Sequence, residues 1–194
     1  MSLLILSTYA HSTSLLILGD SLSAGYQMAF DKAWPTLLVK QLDDTATPVS
    51  VINGSVSGDT TANGLARLPS LLTKHQPDYV LIELGANDGL QGFNPSIPQN
   101  NLQQIIDQAK QAGATPILMQ IRIPTNYGSR YSNALAGIYP ELAEQNHISL
   151  VPFFLEPIIA EKPQWIRPDG IHPNELAQPW IAQFMAEQLT PIIR

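Results

Sequence analysis

The chain has 194 residues, 44% of them hydrophobic and 13% charged, which suits one globular domain with a sizeable core and excludes an extended disordered chain. Ten basic residues against sixteen acidic ones leave a formal net charge of -6 with no basic cluster, so a general grip on nucleic acid phosphates is excluded. With no cysteine there is no disulfide framework, thiolate nucleophile or cysteine-ligated zinc, and no apolar run approaches the ~18 residues of a membrane span, so no stable membrane anchor is expected.

Residues 1–13 hold a short apolar run, Leu3 to Leu6, then Thr8-Tyr9-Ala10, which has the small-x-small form of a cleavage site. A complete secretory signal has a basic start and a longer apolar stretch, whereas no Lys or Arg precedes Lys32. The segment reads as a truncated signal peptide or as an extra tail or edge strand, because Ser2–Leu6 recurs identically as Ser14–Leu18. The domain proper is expected over 14–194. Its first buried strand is predicted at Leu15–Leu18, followed by a helix over Trp34–Leu42. A strand at Val49–Ile52 precedes a helix over Ala62–Leu72, and a strand at Tyr79–Leu84 precedes one over Leu102–Ala112. The fourth strand, Pro116–Ile121, leads to a helix over Asn133–Glu144, and the fifth, Ile148–Phe153, leads to a last helix over Leu176–Leu189. The strand runs lack polar alternation, as expected where both faces of a parallel sheet are covered. The class is therefore α/β, with a three-layer α/β/α arrangement, and function is expected at the carboxyl ends of the strands.

Chemistry-bearing residues collect at those ends. After the first strand stands Gly19-Asp20-Ser21-Leu22-Ser23, after the second Asn53-Gly54-Ser55-Val56-Ser57-Gly58-Asp59, and after the third Gly85-Ala86-Asn87-Asp88-Gly89. The loop before the last helix carries Asp169-Gly170-Ile171-His172-Pro173. Acyl transfer by serine needs a base, a group that holds the base in the right tautomer, and donors for the developing oxyanion. Ser21 is the candidate nucleophile, His172 the base and Asp169 the orienting carboxylate. The backbone N–H groups of Ser21 and Gly58 and the side-chain amide of Asn87 are the candidate oxyanion donors. His75 and His147 end helices, where they suit the dipole, and are poorer bases. Asp20 and Asp88 are each read as fixing its loop by accepting backbone N–H bonds.

These four blocks resemble the SGNH, or GDSL, hydrolase superfamily, and within it the bacterial thioesterase I, protease I and lysophospholipase L1 group. The similarity runs from about Ser14 to Leu189 through Leu15–Tyr26, Ser57–Thr60, Gly64–Pro69, Asn87–Leu90, Met119–Arg122, Asn126–Gly128 and Asp169–Pro173. It implies the same triad and oxyanion donors, a flavodoxin-like five-stranded sheet of order 2-1-3-4-5, no metal or other cofactor, and export to the periplasm or beyond. A monomer acting on a small-molecule ester or thioester is expected. Leu90, Phe93, Ile123, Tyr127 and Ile171 are candidate acyl-pocket residues. Arg122 and Arg130 are the candidate cations near the site, while Arg67 is expected on the solvated face of its helix. Two other functions compete: a non-catalytic nucleotide or flavin binder, which Asp20 in the first βα loop opposes electrostatically, and an SGNH carbohydrate deacetylase.

Overall fold

A computed structural model describes residues 12–43 and 48–193. The truncated-signal or tail reading falls mainly on residues 1–11, outside the described residues. Of the other two, Ser12 donates from Oγ to the Pro48 carbonyl at 3.1 Å and Thr13 opens the first strand.

Five parallel strands form one sheet in the order β2-β1-β3-β4-β5, with helices on both sides. They are β1 (Thr13–Gly19), β2 (Val49–Asn53), β3 (Tyr79–Glu83), β4 (Thr115–Met119) and β5 (Ser149–Val151). In β1, Leu15 to Leu18 are all fully buried, and Leu16 registers with Ile52 of β2 and Val80 of β3. Covered on both faces, such a strand has no use for polar alternation.

The helices in chain order are α1 (Ser21–Ala24), α2 (Trp34–Asp43), α3 (Thr61–His75), α4 (Ala86–Leu90), α5 (Ser96–Gln111), α6 (Ser129–Asn146), α7 (Leu155–Glu161) and α8 (Gln178–Leu189). In α5 the buried positions Leu102, Ile105, Ile106 and Ala109 follow the i, i+3, i+4, i+7 spacing of one apolar face. A capping box starts α3: the Thr60 side chain accepts from the Asn63 N–H, and Asn63 Oδ1 accepts from the Thr60 N–H. On the sheet, α2 packs against α8, and α3 against α5.

Three apolar runs outlast their strands. Leu84, Ile121 and Phe153 are buried, yet they lie beyond the ends of β3, β4 and β5. Burial at these positions comes from packing under the loops, which hydropathy cannot distinguish from strand pairing. The short helices α1, α4 and α7 are absent from the sequence reading, since four to seven residues are too few to display a helical period.

Candidate active site

Ser21 is the first residue of α1, immediately past the carboxyl end of β1, and Asp20 caps that turn by accepting the Leu22 N–H at Oδ1, 3.0 Å away. Two residues before Ser21, Gly19 leaves no room for a side chain without a shift: a Cβ there would lie 2.6 Å from Glu83 Oε2 and 2.9 Å from Ser55 Oγ. Close approach of strand and loop is what brings Ser21 to the surface of the sheet edge.

The loop before α8 delivers the partner. Arg167 donates its N–H to the His172 carbonyl at 2.8 Å and Ile166 pairs with Pro173, closing a tight turn around Asp169 and Gly170. Asp169 Oδ1 accepts the N–H groups of Ile171 and His172 at 3.0 Å each, and Oδ2 lies 2.9 Å from His172 Nδ1. His172 Nε2 is 2.8 Å from Ser21 Oγ. An ionised Asp169 is an acceptor only, so Nδ1 carries the proton and Nε2 turns its lone pair toward the serine hydroxyl. Burial pushes the Asp169 carboxyl up, but its bonds from Ile171 and His172 together with the imidazole outweigh that and hold it below the usual carboxylate range. The Tyr26 ring stacks on His172 with centroids 4.3 Å apart, bracing the imidazole from the side.

Asn87 lies in α4, one turn past β3. Its Nδ2 donates to Asp20 Oδ2 at 3.1 Å and to the Asp59 carbonyl at 2.9 Å, so the amide is held between the first and second loops. Gly58 adopts φ +85° in the second loop, where a Cβ would meet nothing within 4 Å; backbone conformation, not space, calls for glycine. Among the described residues, the N–H groups of Ser21 and Gly58 have no acceptor. Asp88 accepts from the Thr61 N–H at 2.8 Å and from its hydroxyl at 2.6 Å, which fastens α4 to the start of α3.

A cleft of about 320 Å³ opens beside Ser21, Asn87 and His172. Leu90, Ile123 and Ile171 line it together with Phe153, Leu155 and Ile159. Arg122 also faces it, with Nε 2.7 Å from Glu156 Oε1 and both side chains half exposed. Phe93 and Tyr127 are outside this lining. Phe93 lies past the end of α4, where its carbonyl accepts the Tyr131 hydroxyl at 2.7 Å, and Tyr127 sits exposed in a single 3₁₀ turn, Thr125–Tyr127. Arg130 is exposed in the first turn of α6.

The family profile described as GDSL-like lipase/acylhydrolase matches residues 17–178. The chain belongs to that family. An arylesterase from Vibrio mimicus is 58% identical to it over 178 residues, 92% of this chain and 88% of that protein. Thioesterase 1/protease 1/lysophospholipase L1 from Escherichia coli K12 is 54% identical over 192 residues, 98% of this chain and 90% of its own. The crystal structure of the psychrotrophic esterase EstA from Pseudoalteromonas sp., inhibited by monoethylphosphonate, has a TM-score of 0.89 and 39% identity, covering 93% of this chain and 98% of that one.

In this GDSL-like acylhydrolase one arginine departs from expectation. Arg67 is turned inward, not out to solvent: its Nε lies 2.6 Å from Asp59 Oδ2, Nη1 donates to the Gly54 carbonyl and Nη2 to the Gly19 carbonyl at 3.2 Å. Helical spacing gives a residue's face, but the acceptors within reach, here Asp59 and the carbonyls of Gly54 and Gly19, decide what a long side chain on that face reaches. Glu83, fully buried at the end of β3, is also missing from the sequence reading. An acid closing an otherwise apolar strand, Tyr79-Val-Leu-Ile-Glu83, is the signal that marks it.

Proposed function

We propose that the protein hydrolyses carboxylic esters and thioesters through an acyl-serine intermediate, with Ser21 as nucleophile, His172 as base and Asp169 as the carboxylate that orients it. The observation that carries this reading is the unbroken series Asp169–His172–Ser21, at 2.9 and 2.8 Å, at the mouth of a mainly apolar cleft. As Ser21 Oγ bonds to the acyl carbon, its proton passes to His172 Nε2, and the carbonyl oxygen becomes an oxyanion facing the Ser21 and Gly58 N–H groups and the Asn87 amide. The bond to the leaving group then breaks, and His172 returns the proton to the departing oxygen or sulfur. Water repeats the sequence on the acyl-serine, with His172 as base, and frees the acid and Ser21.

The acyl chain is assigned to the cleft, against Leu90, Ile123 and Ile171, with Arg122 at its rim. Because Glu156 already pairs with Arg122, that arginine is a weak anchor for a charged leaving group, which is left facing solvent. The three tryptophans supply no sugar platform there: Trp34 is buried in the core, while Trp165 and Trp180 flank Lys162. The ester reading is therefore preferred to carbohydrate deacetylation. All the proposed machinery belongs to one chain, so a monomer suffices, and export to the periplasm is carried over from the resemblance alone.

Ser21→Ala and His172→Ala should each lower kcat at least about 10³-fold with a short-chain aryl ester, and the double variant should be little worse than either, because the groups act as one unit. Losses that multiply in the double variant would separate the two residues and refute the mechanism.

A further inference from the structure

Asp20 and Glu83, at the carboxyl ends of β1 and β3, are buried acids, 1% and 0% exposed, and among the described residues neither is in a salt bridge. The Asp20 N–H donates to Glu83 Oε2 at 3.3 Å, which brings the two buried acids together, and two neighbouring carboxyl groups taken out of water do not both ionise. The surrounding donors are unequally placed. Asp20 Oδ1 receives the Leu22 N–H and Oδ2 the Asn87 amide. Glu83 Oε2 receives the Ser23 hydroxyl at 2.7 Å and the Asp20 N–H at 3.3 Å, whereas Glu83 Oε1, shielded from solvent, receives nothing. A buried oxygen with no donor is the favoured place for a proton, since a hydroxyl there gives a bond instead of needing one. Asp20, with both oxygens receiving donors, is the better site for the charge.

We propose that Glu83 is a positioning residue of the hydrolytic site: it stays protonated and, through Oε2, holds the Asp20 backbone and the Ser23 hydroxyl, and Asp20 in turn sets the Asn87 amide. Both hydrogens of Asn87 Nδ2 have acceptors, Asp20 Oδ2 and the Asp59 carbonyl. A charged acceptor makes a stronger bond than a neutral one, so a carboxylate at Asp20 holds the amide in one orientation. The other groups around the pair agree with one charge and not two. Asp59 and Asp88 both repel a charge on Asp20, and the Tyr139 hydroxyl is spent on the Leu84 carbonyl. The neighbouring guanidinium, Arg67, is spent on Asp59 and on two backbone carbonyls. Burial first, then the Asp20 charge, pushes Glu83 well above the usual carboxylate range, and burial pushes Asp20 up to about 7.

This inference rests on the reading of Asn87 as an oxyanion donor, and three measurements separate the two. Infrared difference spectra of wild type minus Glu83→Gln at about pH 8 should show the carbonyl stretch of a protonated carboxylic acid; carboxylate bands in its place would overturn the proposal. In kinetics, Glu83→Ala should lower kcat about tenfold with KM unchanged, and Glu83→Gln, which keeps a neutral acceptor for the Asp20 N–H and the Ser23 hydroxyl, should restore most of that loss. Equal losses in the two variants, or a change confined to KM, would also overturn it. In the Asn87→Ala background, Glu83→Ala should cost nothing more, since Glu83 acts through that amide. Additive losses would make Glu83 a purely structural residue. Should Asn87→Ala itself leave kcat intact, the oxyanion reading fails, and the infrared result still decides where the proton resides.

Discussion

A carboxyl group that keeps its proton inside a folded chain ties stability to pH in the direction opposite to an ordinary ion pair. Glu83 in the unfolded chain ionises near the usual glutamate value of about 4.3, whereas in the fold burial and the Asp20 charge hold its pKa far higher. Above that usual value folding therefore takes up a proton, and stability falls as pH rises toward the folded pKa, by about 1.4 kcal/mol per pH unit. Asp20 acts in the same direction up to about pH 7, where it ionises in the fold. Glu83→Gln lacks the Glu83 contribution. Its stability relative to wild type should thus grow by about 1.4 kcal/mol per unit between roughly pH 5 and pH 7, as read by urea unfolding at each pH. Curves that stay parallel would mean that Glu83 ionises in the folded protein.

At the level of elements, the site depends on three chain segments meeting at one edge of the sheet. Arg67, from the second turn of α3, reaches Asp59 beside Gly58, the Gly54 carbonyl after β2 and the Gly19 carbonyl at the end of β1. One planar guanidinium thus spans the loop that carries the candidate oxyanion donor and the strand end that carries the nucleophile. Arg67→Met would strand a largely buried Asp59 carboxylate and the Gly54 carbonyl, whereas the Gly19 carbonyl keeps the Val56 N–H, and should cost about 2 to 3 kcal/mol of stability. It should also lower kcat by loosening Gly58. Arg67→Lys keeps the charge but loses the fork, and should fall between. A stability loss below about 0.5 kcal/mol for Arg67→Met, measured by equilibrium unfolding, would reduce the contact to an ordinary surface pair. The same scale shows what sequence can convey. Strands were legible because each is a short, mostly apolar run, and α3 and α5 because their burial has a period. By contrast α1, α4 and α7 are too short to have one, although α1 and α4 carry Ser21 and Asn87.

Across the whole molecule, a parallel sheet gathers the ends of its strands at one edge, so motifs far apart in the chain share a site. That is why Ser21, Asn87 and His172 were legible as one constellation: Ser21 and Asn87 come just after apolar strand runs, and His172 lies in the loop before the last helix. Side-chain direction was not legible. Nothing in the spacing of α3 distinguishes an Arg67 in solvent from one folded under two loops. The loops around Phe93 and Tyr127 likewise turn on local hydrogen bonds that residue type does not reveal. The central claim is that a single serine, at the end of β1, forms the covalent acyl intermediate. A fluorophosphonate probe reacts with a hydroxyl activated in this way, and mass spectrometry of the digested protein locates the adduct. The label should fall on Ser21 alone and vanish in His172→Ala; a label on Ser23 or Ser55, or one on Ser21 that survives loss of the imidazole, would contradict the account.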